Sequence, residues 1–391
     1  MLLNTTLGTS QVLAHSGGDR LHLLNASAAE LWQLHQASDD EVAARPLIQK
    51  LTVDYGLSKA AASSQIEELL LHWRQSGLLA DGLEPLTTTL AQPCDWVITP
   101  PFPATDWSMT LTVKLAGLCC GVLVEDAQLT ERLKVLLSSV LLASPEPLAH
   151  QLVLTGTALQ WQLSVNEQIE ATGLGLENAL TRVLHTLINL ACQAEERLLV
   201  IHGAGLKLAD GRGLLLIAPG GSGKTTLATA LNAQGYALLS DDVVPVNLAG
   251  DLLGLGTSIC LKSGSWSVLA ALRPDIAGTQ SLERFDQTVR YLPPLGNGCA
   301  GPIPPGLLLF PRYQPGSAPQ CQALSPEEAL QHIIEAEAVI RNLTQAKLDA
   351  LASWVSSVPA YALCYPDLDS ALALIQQLTD NLPQPETALW T

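Results

Sequence analysis

Apolar positions recur along the chain with two different periods, and these separate strands from helices. Leu214 to Ala218 is an unbroken apolar run of strand length, the pattern of a strand buried on both faces. Leu198 to His202, Tyr236 to Ser240 and Leu307 to Phe310 read the same way, and Val289 to Leu292 is a further strand. Helical spacing is clear at Ile66, Leu69, Leu70 and Trp73, on a helix that Ser58 caps and that ends near Gly77. A longer helix is expected from Gly175 to Arg197, and another from Pro326. Near the start, Val12 to His15 and Leu21 to Leu24 flank Ser16-Gly17-Gly18-Asp19 as a hairpin. Asn25 or Ser27 then caps a helix running to Gln36, with Glu30 in its first turn. A second helix spans Glu41 to Tyr55, stopped by Gly56.

This pattern gives three parts. Residues 1–84 form a small α+β domain whose three helices and hairpin have the make-up of a winged helix. Residues 85–107 carry Pro85, Pro93, Pro100, Pro101 and Pro103 beside a threonine run, which is linker composition. Residues 108–380 mix strands and helices as an α/β domain. With 391 residues, 48% of them hydrophobic, the chain has enough apolar material for more than one core.

Charge narrows the partners. A formal net charge of −17 opposes nucleic acid and anionic membrane as main partners. The third helix, which would enter a DNA groove, has Lys59 and Arg74 at its ends but Glu67 and Glu68 in its middle. No apolar run approaches the ~20 residues that span a bilayer. The opening MLLNTTLGTSQ lacks the basic start and apolar core of a signal peptide. Eight cysteines without a CxxC pair suggest neither a zinc site nor a disulfide framework. Cys119-Cys120 reads as two buried thiols, and a reduced, cytoplasmic setting is expected.

The chemistry concentrates after Leu214. Gly220, Gly221, Ser222 and Gly223 make a turn between a strand and a helix, followed by Lys224, Thr225 and Thr226. Such a turn lets successive N–H groups converge on phosphate oxygens, and the helix start adds its dipole. Lys224 would reach the β- and γ-phosphates, and the Thr225 hydroxyl would ligate Mg²⁺. Ala218 stands where GxxxxGK[ST] has its first glycine. Asp241-Asp242 ends a strand expected beside the phosphate-loop strand, where ligands of open α/β sheets gather. One carboxylate would hold Mg²⁺ and the other accept a proton from an attacking hydroxyl. His202-Gly203 closes the strand before the loop and would point into the same cleft. In a chain so poor in bases, Lys262, Arg290 and Arg312 are candidates to meet phosphate or substrate.

Two resemblances sharpen this. Leu23-Leu24-Asn25, Ala28, Leu31, Leu51, Tyr55-Gly56 and Leu69 through Gly77-Leu78-Leu79 resemble the PqqD family of peptide-binding domains. That resemblance implies a leader peptide added as a strand along residues 11–24 and packed on residues 58–74. His202-Gly203, Gly213-Leu214-Leu215, Gly220 to Thr225, Leu227-Ala228, Gly235 and Leu239 to Val243 resemble the HPr kinase/phosphorylase family. It implies a P-loop kinase using ATP and Mg²⁺, with Asp241 as base, Asp242 supporting the metal and His202 orienting the base. The family's second glycine-rich signature is absent, which leaves phosphorolysis unsupported. A homo-oligomer is also compatible with that family. The expected activity is transfer of the γ-phosphoryl group to a Ser or Thr hydroxyl of a ribosomally made precursor peptide. Two alternatives stay open: a small-molecule or glycan-precursor kinase, and a nucleotide-gated peptide-binding module without transfer.

Overall fold

A computed structural model of the chain describes residues 1–37, 44–79, 109–144, 146–193, 197–284, 287–296 and 301–383. The linker expected at 85–107 and the expected helix start at Glu41 lie outside them. The described residues form a mixed α/β protein with ten α-helices and four sheets. The chain divides into two compact units, Met1–Pro101 with Arg341–Ala352 and Phe102–Ile340 with Ser353–Thr391.

In the first unit, β1 (Leu2–Leu7), β2 (Ser10–His15) and β3 (Leu21–Leu24) form an antiparallel sheet in that order. Three helices follow: α1 (Ala26–Gln36), α2 (Ala44–Val53) and α3 (Lys59–Gln75). Of the two expected caps for α1, Asn25 is the one used: its side chain accepts from the Ala28 N–H at 2.9 Å. Ser58 caps α3 through the Ala61 N–H. The core gathers Leu13, Leu31, Trp32, Leu47, Ile66 and Trp73, with the Trp32 and Trp73 rings edge to face. β1 was not foreseen, and it changes the peptide expectation. Residues 11–14 lie in the central strand, paired on both sides, and cannot accept another strand. The outer edge of β1 is engaged by Gln345, whose amide bonds both the N–H and the carbonyl of Asn4. Gly17 and Gly18 likewise pair with the Leu343 backbone, which explains why residues 341–352 belong to this unit.

The second unit opens with a five-stranded sheet, β4 (Met109–Leu115), β5 (Leu118–Val124), β6 (His150–Gly156), β7 (Gln160–Val165) and β8 (Gln168–Leu174). Helices α4 (Ala127–Leu136) and α5 (Leu176–Gln193) cover it, and the two thiols of Cys119-Cys120 are buried there as expected.

The larger sheet is built from β9 (Arg197–Lys207), β10 (Gly213–Ile217), β11 (Ala237–Ser240), β12 (Val243–Asn247) and β13 (Leu252–Leu253). Helix α6 (Lys224–Ala233) joins β10 to β11. A three-stranded antiparallel sheet follows, with β16 (Gln287–Leu292) between β14 (Ile259–Lys262) and β15 (Ser281–Arg284) and the short α7 (Trp266–Leu269) inserted. The chain then adds β17 (Pro302–Ile303), β18 (Pro305–Tyr313), β19 (Gln320–Ala323), α8 (Pro326–Glu335), α9 (Gln345–Ser357), β20 (Ala360–Tyr365) and α10 (Leu368–Asp380). The order across the large sheet is β17-β13-β12-β9-β10-β18-β20-β19, with β11 on β9.

Two expectations are corrected by this order. The strand before the glycine-rich turn does not end at His202-Gly203. It runs on to Lys207 and pairs antiparallel with β10, because Gly203, Ala204 and Gly205 are small enough for close strand contact. A Cβ on Gly203 would lie 2.5 Å from the Leu216 carbonyl oxygen. The strand Ala237–Ser240 is also not beside β10: β9 stands between them. The expected helix to Arg197 gives way as well, for Arg197 begins β9. No helix among the described residues is long and apolar enough to cross a membrane.

Candidate functional site

The glycine-rich turn leaves the fully buried β10 and enters α6 through Gly223, which has φ 90°. Gly221 has φ 79°, so both positions use conformations that side chains resist. Cβ atoms built on Gly220 and Gly221 would meet nothing within 4 Å, so the backbone there faces open space. In the same turn the Ser222 hydroxyl is buried with no hydrogen-bond partner. An orphaned donor beside exposed backbone suits an anionic ligand.

Lys224 opens α6 and is buried. Its ammonium donates to the carbonyl oxygens of Ala218 and Pro219, at 2.6 and 3.0 Å. Burial lowers its pKa; Asp242 works against that shift and Lys262 adds to it. Thr225 is half-buried on the next position of the helix. The Thr226 hydroxyl bonds Ser265 at 2.6 Å. Lys262 is exposed at the end of β14.

Asp241 and Asp242 occupy the break between β11 and β12, two segments that run end to end along β9. Their side chains differ sharply in exposure. Asp241 turns inward, 4% exposed, and accepts from the Cys260 N–H at 2.8 Å. Burial, with Asp242 alongside, pushes its carboxyl up to about 7. Asp242 turns outward, its side chain 56% exposed, with a carboxylate oxygen 3.8 Å from His202 Nδ1. Its charge reaches Lys224, His185 and Arg284. So the histidine expected beside Asp241 stands beside Asp242.

Behind the aspartates lies a polar cluster that sequence reasoning missed. Arg284 on β15 donates to the Cys260 thiol at 3.3 Å and meets His185 Nε2 at 2.9 Å. Tyr291 Oη, beside that thiol, is buried with no partner in bonding geometry. Burial is the first cause of the raised Tyr291 and Cys260 pKa values. The pairing of β14, β15 and β16 brings Cys260, Arg284 and Tyr291 together and α5 adds His185, and nothing in their spacing announces it.

The remaining candidates separate. Arg312 is exposed and lines a cleft with the glycine-rich turn. Arg290 does not stand free for phosphate: its guanidinium lies 4.0 Å over the Trp266 ring and donates to the Ile276 carbonyl at 2.6 Å. Partial burial has committed it to packing. The cleft has a volume of ≈ 1160 Å³ and runs from the turn to β18, β19 and the end of β20. Among the described residues no group of three or more His, Cys, Asp or Glu side chains is placed to hold a metal ion. Compared with known proteins, the chain matches no family model and no curated protein.

Proposed function

We propose that this protein is an ATP-dependent kinase that transfers the γ-phosphoryl group to a Ser or Thr hydroxyl of a ribosomally made peptide. The observation that carries the reading is the turn at 220–223, with its orphaned Ser222 hydroxyl and open glycines leading directly into Lys224. In this reading the second unit is a P-loop kinase of the HPr-kinase-like kind, and the first a winged-helix, PqqD-like peptide-binding domain.

The roles follow from exposure. An attacking hydroxyl must come within about 3 Å of its base. Asp242 is exposed enough to be approached so closely and the enclosed Asp241 is not, so in this reading the base role that the resemblance gives Asp241 passes to Asp242. As the acceptor oxygen bonds to phosphorus, the bond to the β-bridging oxygen breaks, ADP departs and the acceptor's proton goes to Asp242. His202 orients that carboxylate. Asp241 is a positioning residue that ties β11 to β14 from beneath. The turn's amides and Lys224 hold the phosphates, with Lys262 close enough to add positive charge. Thr225 and Asp242 would hold Mg²⁺, and the ion would supply positive charge to the triphosphate.

For the peptide, the expectation over residues 11–24 narrows to β3, which is an edge of its sheet among the described residues, and the expected packing on residues 58–74 falls on α3. Main-chain bonding to that edge would supply affinity and capture the acceptor for the second unit. Competition tests this with the full chain. Excess free leader peptide should suppress phosphorylation of the full-length peptide and leave that of a leaderless peptide unchanged. Equal suppression of both, or of neither, would refute leader capture.

A further inference from the structure

The cleft beside the glycine-rich turn has contents that phosphate binding does not use, and they show which way a nucleotide would lie. β10 has β9 on one side and β18 on the other. On the β9 side stand Asp242 and His202, the groups suited to proton transfer. On the β18 side the cleft is walled by aromatic rings and carboxamides. Tyr313, 55% exposed at the end of β18, leans on the buried Tyr365 at the end of β20, with ring centroids 5.9 Å apart. A Cβ built on Gly223 would come within 3.7 Å of Tyr365 Oη, so the aromatic pair begins where the turn ends. Gln320 and Gln322, alternate residues of β19, line the cleft with Gln314.

We infer that this cleft is a nucleoside subsite. The base stacks on Tyr313, the triphosphate crosses the turn, and the γ-phosphate points toward Asp242. The inference rests on the nucleotide-binding reading above. A cleft of ≈ 1160 Å³ has room for a nucleoside beyond its phosphates. The exposed face of Tyr313 offers any base a π-surface. The amides of Gln320 and Gln322 each present both a donor and an acceptor and can turn over, while the amide oxygen of Gln314 accepts from the Cys364 thiol. The first two amides therefore suit the amino edge of adenine and the keto edge of guanine alike, and the site accepts both purines.

The test is equilibrium binding of ATP, GTP and inorganic triphosphate to the full chain and to Tyr313→Ala, whose exposed ring is removed at little risk to folding. ATP and GTP should bind the unaltered protein within about fivefold of each other. Tyr313→Ala should weaken both by about tenfold or more, from the loss of one stacked base, and leave inorganic triphosphate within twofold. Unchanged ATP affinity would overturn the subsite while nucleotide binding stands. Equal weakening of ATP and triphosphate would overturn it too, by placing the damage in the turn. A strong preference for one purine would overturn recognition by the glutamine amides. If the unaltered protein bound neither ATP nor triphosphate, the nucleotide reading and the subsite would fall together.

Discussion

Replacing Asp241 by Asn should stabilise the protein at neutral pH, although the residue sits at the centre of the candidate site. Its carboxyl is enclosed, and burial with Asp242 alongside moves it from 3.8 to about 7. Between those values the native state keeps a proton that the unfolded chain has released. Stability therefore falls as pH rises through this window, and the whole cost is present above about pH 7. At about 1.4 kcal/mol per pKa unit, a shift of about three units costs up to about 4 kcal/mol. Asp241→Asn keeps the shape, and its amide oxygen can still accept from the Cys260 N–H. The variant should thus match the parent near pH 4 and exceed it by up to about 4 kcal/mol at pH 8. Urea unfolding of both proteins at each pH measures this. Taking the difference cancels groups that titrate in the same range, such as His22, which burial lowers to about 4. A difference that stays constant from pH 4 to pH 8 would refute the argument that burial holds Asp241 neutral.

Three further outcomes are expected. Asp242→Asn should cut the transfer rate by a hundredfold or more with little change in stability, whereas Asp241→Asn should cost less than tenfold in rate; single-turnover kinetics separates the two. Gly203→Ala should destabilise by about 2 kcal/mol or more, since its methyl would press on the Leu216 backbone carbonyl rather than on a yielding side chain; thermal unfolding reads this. Ser325→Ala should cost about 1 kcal/mol, because it removes half of the capping box that Ser325 and Glu328 make at the start of α8.

What the sequence made legible was local. The run Leu214 to Ala218, the glycines and Lys224 specify a strand, a turn and a helix within about twenty residues, and each was placed correctly. The caps Asn25 and Ser58 and the helical spacing of Ile66 and Trp73 were legible for the same reason. What escaped was pairing between distant segments. The antiparallel insertion of β9 between β10 and β11 depends on Gly203, Ala204 and Gly205, which read locally as the end of a strand. The contrast in exposure between Asp241 and Asp242 depends on β14 covering one face of the break and leaving the other open. Arg290 illustrates the same limit, since its packing partner Trp266 arrives from another segment.

Intact mass spectrometry of a candidate precursor peptide, incubated with the full chain and Mg-ATP, would test peptide phosphorylation most directly. The peptide should gain the mass of one or more phosphoryl groups, and fragmentation should place them on Ser or Thr; the gain should vanish with Lys224→Ala. Peptide that stays bound yet unchanged in mass, while ATP is bound or hydrolysed, would contradict transfer to a peptide hydroxyl.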